Sequence, residues 1–171
     1  MTMNYFEFFE IPVQLKVDKA ALPRKYFELS RKYHPDFFTN ESEELKAESL
    51  EKSAILNRAF KTFQNADETI KYVLQLKGLL EEEEKYELPP DFLMEVMEIN
   101  EELMDADNPD LTTRIKSDID NLQTRIYEPV KEIVENYSES VTTEKELLQV
   151  KEYYYKKKYL DRIHRQLAGM A

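Results

Sequence analysis

Cysteine is absent from this chain of 171 residues, which excludes disulfides, thiolate metal ligands and a cysteine nucleophile. Histidine occurs only twice, at His34 and His164, so a histidine-based metal site is not expected and no cofactor follows from the sequence. Two glycines leave few signals for hairpins or phosphate-cradling loops, and the Lys/Glu/Leu-rich remainder points to an all-α protein. No apolar run approaches the roughly 20 residues that span a bilayer, so no membrane partner is expected. The start of the chain runs straight into an acidic amphipathic segment, residues 4–10, without the pattern of a signal or transit peptide, and a cytoplasmic location is the expectation.

Net charge is −11, unevenly shared. Residues 1–40 hold six Lys/Arg and five Asp/Glu, a balance of +1, which leaves −12 for residues 41–171. Phosphate binding needs clustered positive charge, so nucleic acid is a poor partner for the chain as a whole.

In the first half, residues 4–11 read as a short helix carrying Tyr5, Phe6, Phe8 and Phe9 and ended by Pro12. Asp18 is a good N-cap for a helix running to Tyr33, with Leu22, Tyr26, Leu29 and Tyr33 along one face and Arg24, Lys25, Arg31 and Lys32 on its other side. Residues 43–65 form a third helix with Leu56, Ala59, Phe60 and Phe63 as its inward stripe, and a further pattern over 69–77 stops at Gly78. The short connection from Pro35 to Glu41 makes the second and third helices an antiparallel hairpin, with His34-Pro35-Asp36 at its tip. A histidine and a carboxylate on an exposed loop beside a basic helix face suit a recognition epitope or the start of a catalytic site. The tripeptide by itself also fits a plain helix-terminating turn.

An aromatic first helix, a basic helix ending in Tyr33-His34-Pro35-Asp36, and the run Ala54-Ile55-Leu56-Asn57-Arg58-Ala59-Phe60 together resemble the J-domain, by which co-chaperones engage DnaK-type chaperones. The resemblance implies a chaperone-binding surface of Lys25, Arg31, Lys32, His34, Pro35 and Asp36, with the cations steering toward an acidic surface.

In the second half, Glu81 to Glu84 form a like-charge run followed by Pro89-Pro90, which reads as a solvated acidic linker over residues 79–89. Asp91 is a candidate cap for a helix to about Ala106, Asn108-Pro109 opens a long helix to about Tyr137, and Thr143 with Glu146 reads as a capping box for a last helix to Leu167. Short loops between three helices imply a bundle. The middle helix has the stripe Ile115, Ile119, Leu122, Ile126, Val130 and Ile133, with Pro129 placed to kink or split it. On the first of the three, Phe92, Val96, Ile99 and Leu103 have core spacing, while Leu93, Met94, Met97 and Met104 lie on a second face among Glu98, Glu101 and Asp105. That second face is either the edge of a broad core stripe or an exposed methionine-rich patch suited to a basic partner.

The run Phe92 to Leu103 resembles the signature helix of the HscB family, J-domain co-chaperones of iron–sulfur cluster biogenesis, and the likeness extends over the whole chain. It implies a J-domain over residues 1–78, the acidic linker, and a three-helix domain over 90–171 that binds the scaffold protein IscU. By motif position the scaffold contacts fall on Leu93, Met94, Met97, Glu98, Glu101, Asp105 and Tyr159, with Met97 and Asp105 standing where some bacterial members have leucine and glutamate. The cysteine metal module of eukaryotic members is absent. The implied function is a co-chaperone that stimulates the ATPase of HscA or DnaK and delivers the scaffold to it, with no catalytic residue or metal of its own. Two competitors are a general J-domain co-chaperone with a different client and an enzyme using His34 as a general base oriented by Asp36. The enzyme lacks any Gly-x-Ser-x-Gly, His-Glu-x-x-His or Gly-rich phosphate loop.

Overall fold

A computed structural model of the chain describes residues 3–105 and 107–169, and among these the regular elements are helices alone. The expected helix end at Ala106 lies outside the described residues. No helix of the described residues is long and apolar enough to cross a membrane. The chain divides into two compact units, Met1–Val73 with Ser138–Ser140, and Leu74–Tyr137 with Val141–Ala171.

In the first unit, α1 (Tyr5–Phe8) opens at Asn4, whose side chain accepts the Glu7 N–H at 2.8 Å. It stops well short of Pro12. Glu10 takes a left-handed conformation at φ 58, which lets its own N–H bond to the Glu7 carbonyl and the Ile11 N–H to the Phe6 carbonyl, a closure that ends the helix before proline can. α2 (Leu22–Tyr33) corrects a second expectation, because its N-cap is Ala21 without a side-chain bond. Asp18 instead accepts the Ala20 N–H at 3.0 Å in the preceding turn, and Pro23, favoured in a first helical turn, fixes where the helix begins.

α3 (Glu43–Gln64) is capped by Ser42 and runs back along α2. Leu22, Leu29, Leu56, Ala59 and Phe63 are buried between them, while Tyr26 stacks on Phe60 at 4.2 Å. Over this hairpin lies α1, with Phe6 and Phe9 buried against Phe63 at centroid distances of 4.8 and 5.3 Å. α4 (Ala66–Leu76) starts three residues before the expected Thr69, because the Asn65 side chain accepts the Glu68 N–H at 3.0 Å. Gly78, at φ 72, supplies its stop.

In the second unit, α5 (Pro90–Met104), α6 (Pro109–Tyr127) and α8 (Glu144–Gly169) pack as a three-helix bundle. Pro89, not Asp91, occupies the N-cap of α5, since two consecutive prolines favour a helix that starts at the second of them. Asn108 caps α6 through the Leu111 N–H at 2.9 Å, and Thr143 and Glu146 form the reciprocal capping box at 3.1 and 3.0 Å. Pro129 splits the middle helix: Glu128–Val130 is a 3-10 turn, followed by the short α7 (Lys131–Glu135). Across this break the stripe runs Ile126, Val130, Val134, so Val134 is buried and Ile133, expected there, is half-buried.

Residues 79–89 are only partly solvated. Glu81 to Glu83 are exposed, but Leu80 is buried, Glu84 pairs with Lys151, and the Tyr86 ring stacks on Tyr155 at 4.6 Å. The hydrogen bond from Lys151 holds the Glu84 carboxyl below its usual range.

Candidate functional site

Two surfaces carry the residues singled out by sequence, one on each unit. The first is the tip of the α2–α3 hairpin. His34, preceding a proline, is extended at φ −63, ψ 132, which ends α2 at Tyr33 and turns the chain into a 3-10 turn over Pro35–Phe38. The His34 imidazole caps that turn, Nδ1 accepting the Asp36 N–H at 3.2 Å, so the neutral ring carries its proton on Nε2. Asp36 Oδ2 lies 3.5 Å from the same Nδ1, a contact that becomes an ion pair only on protonation. In the neutral state Nδ1 is therefore an acceptor, and Asp36 does not orient it as the carboxylate of a catalytic dyad would. Both side chains are largely open to solvent, at 50 % and 83 %. The geometry displays a histidine and a carboxylate in fixed relation; it suits recognition.

The support beneath the loop comes from α3. Ser49 and Ser53 both donate to the carbonyl of Tyr33, at 3.1 and 2.9 Å, anchoring the residue that leads into His34. Arg31 and Lys32 are exposed in the last turn of α2, next to the tip. Lys25 is not equivalent to them. It is half-buried and shared between Glu10 at 3.5 Å and Glu28 at 3.9 Å, so much of its charge is already answered. Two residues that sequence reasoning passed over, Phe27 and Phe37, stand exposed beside these cations. The signal was present for Phe27, which falls outside the inward stripe of Leu22, Tyr26, Leu29 and Tyr33 and therefore belongs to the basic face.

The second surface is α5. Phe92, Val96, Ile99 and Leu103 are all buried, whereas Met94, Met97 and Met104 are 64 %, 59 % and 86 % exposed. At about 100° per residue, Leu93, Met94, Met97, Glu98, Glu101, Met104 and Asp105 fall in one arc of roughly 140°, centred opposite the buried stripe. The broad-core alternative therefore fails for the methionines, and only Leu93, at the border of the arc, is half-buried. Glu98, Glu101 and Asp105 are exposed among them, so the face interleaves apolar side chains with carboxylates. Tyr159, half-buried on α8, lines a groove with Asn100, Leu103, Met104 and Ile163, and Arg162 lies 5.6 Å from its ring centroid. It thus joins the C-terminal end of the α5 face, about 16 Å along the helix from Leu93.

Residues 88–168 match the family described as the HSCB C-terminal oligomerisation domain. A co-chaperone protein HscB homolog of Shewanella halifaxensis is 36% identical over 151 residues, covering 88% of this chain and 80% of that protein. The human iron-sulfur cluster co-chaperone protein HscB is 32% identical over 167 residues, covering 97% of this chain and 68% of its own. Among solved structures, that of human co-chaperone protein HscB superposes with a TM-score of 0.80 at 30% identity, over 98% of this chain and 81% of that one. Chaperone HscB from Vibrio cholerae has the same fold, with a TM-score of 0.74 at 24% identity over 98% of this chain and 97% of that one.

Proposed function

The chain belongs to the HscB family of co-chaperones, and from that premise we propose that it recruits an iron–sulfur cluster scaffold of the IscU type to a DnaK-type chaperone, HscA or DnaK, in the cytoplasm. In this reading residues 1–78 act as the J-domain, residues 79–89 connect, and residues 90–171 bind the scaffold.

At the hairpin tip, Arg31 and Lys32, with a smaller share from Lys25, raise the encounter rate with an acidic chaperone surface. His34, Pro35 and Asp36 then make oriented contacts that favour the chaperone's hydrolysing conformation; the shift is set by how much better they fit that state than the other. ATP hydrolysis is the chaperone's chemistry, and this chain contributes no reacting group to it. On α5, Leu93, Met94 and Met97 supply an apolar anchor, Glu98, Glu101 and Asp105 select a partner with basic groups, and Tyr159 closes the far end. Holding scaffold and chaperone on one chain raises their effective concentration for each other without any new contact.

The observation that carries this reading is the division of α5 into a buried stripe and an opposite, exposed methionine face interspersed with carboxylates. A helix serving the bundle alone has no use for that second face. Calorimetric titration of the full chain with an IscU-type scaffold tests it: saturable one-to-one binding is expected, and absence of heat at any accessible concentration would refute the assignment.

A further inference from the structure

Phe27 and Phe37 are 64 % and 67 % exposed, although the first unit buries Phe6, Phe9 and Phe63 almost completely. They come from different elements, α2 and the 3-10 turn, yet both line one shallow surface depression together with Arg24, Arg31 and Lys32. The Arg31 guanidinium lies 5.7 Å from the Phe27 ring centroid, and the Phe37 ring meets the His34 imidazole edge-on at 6.3 Å. Residues 24, 27 and 31 follow the i, i+3, i+7 spacing of one helix face, so the aromatic ring sits within the row of cations. Of the charged groups at the depression only Glu28 is negative, and it is drawn toward Lys25 at 3.9 Å.

We propose that Phe27 and Phe37 form an aromatic anchor that receives an aliphatic side chain from an acidic segment of the partner chaperone, and that this contact, more than the His34 loop, holds the two proteins together. The proposal rests on the reading of the hairpin tip as the chaperone-docking surface. Charge complementarity selects the occupant: three cations around an apolar floor favour an aliphatic group carried among carboxylates, and the anchor is continuous with His34 through Phe37. Phenylalanine and arginine are among the residue types enriched at the cores of protein interfaces. Steering by the cations would then govern the association rate and its salt dependence, and the phenylalanines the dissociation rate.

The test measures stimulated ATPase turnover of a DnaK-type chaperone against concentration of the full-length chain, for wild type, Phe27→Ala/Phe37→Ala, Phe27→Leu/Phe37→Leu and His34→Gln. Expected for the alanine pair is a rise of about tenfold or more in the half-saturating concentration, an unchanged maximal stimulation and an unchanged salt dependence. The leucine pair should recover most of the affinity, and His34→Gln should do the reverse, losing stimulation while competing against wild-type stimulation at the wild-type half-saturating concentration. Wild-type half-saturation by the folded alanine pair would overturn the anchor, while leaving the docking reading intact if His34→Gln is inactive. Full stimulation by His34→Gln would overturn the docking reading itself. Loss of self-association by sedimentation in the alanine pair, with chaperone affinity intact, would assign the depression to a second copy and also overturn the proposal.

Discussion

The hydroxyl of Ser53 donates a 2.9 Å hydrogen bond to the main-chain carbonyl of Tyr33, the residue immediately before His34. Carbonyls in the last turn of a helix lack intrahelical partners, and here Ser53 and Ser49 of the neighbouring helix serve one of them jointly. The double substitution Ser49→Ala/Ser53→Ala strands that carbonyl, which should cost about 1–3 kcal/mol of stability and reduce chaperone stimulation without touching the tripeptide. Either single change should cost less, because the other hydroxyl remains. Thermal melts beside the ATPase assay check this; full stimulation by the folded double variant would mean that the loop needs no such anchorage.

Truncating Leu93, Met94 and Met97 together to alanine should weaken scaffold binding by more than about 2 kcal/mol, since clustered apolar anchors commonly dominate an interface. Thermal stability should fall only slightly, because Met94 and Met97 are already exposed and alanine favours the helix. Titration calorimetry with melting curves separates the two effects. Undiminished binding would place the interface elsewhere.

Glu84 predicts a pH dependence. Its carboxyl is held low by the hydrogen bond from Lys151, so the folded state favours the ionised form. The stabilisation is complete above the ordinary value of 4.5 and is lost as pH falls through the depressed folded value. The stability difference between wild type and Glu84→Gln should therefore be constant near neutrality, within about 1 kcal/mol, and close on the acid side. Denaturant melts across pH measure it. A gap that persists at full protonation would show that the interaction is not ionic.

Thr143→Ala should destabilise the chain by about 1 kcal/mol through loss of the capping box, seen as a lower melting temperature. That box illustrates what was legible in the sequence. Thr143 with Glu146, Asn108 with Pro109, and Gly78 are local signals, and each acts where local geometry decides. The apolar stripes of α5 and α6 were readable for the same reason, and they put Met94 and Met97 on a second face whose exposure only the packed bundle decides. Asp18 and Asp91 are not the caps because Pro23 and the Pro89-Pro90 pair set the helix starts three and two residues away. The early end of α1 turns on Glu10 adopting a conformation that glutamate seldom takes, which no pattern announces. The pinning of Tyr86 on Tyr155 and of Lys25 by Glu10 depends on residues distant in sequence, and the depression that Phe27 and Phe37 both line depends on how the 3-10 turn folds back beside α2.

The most direct measurement is chaperone ATPase stimulation by His34→Gln at saturating concentration. His34 is half exposed and its bond to the Asp36 N–H is local, so the variant should fold and melt almost as wild type. The predicted result is a folded, chaperone-binding protein that no longer accelerates hydrolysis. Wild-type stimulation by that folded variant would contradict the assignment of the hairpin tip as the surface that drives the chaperone.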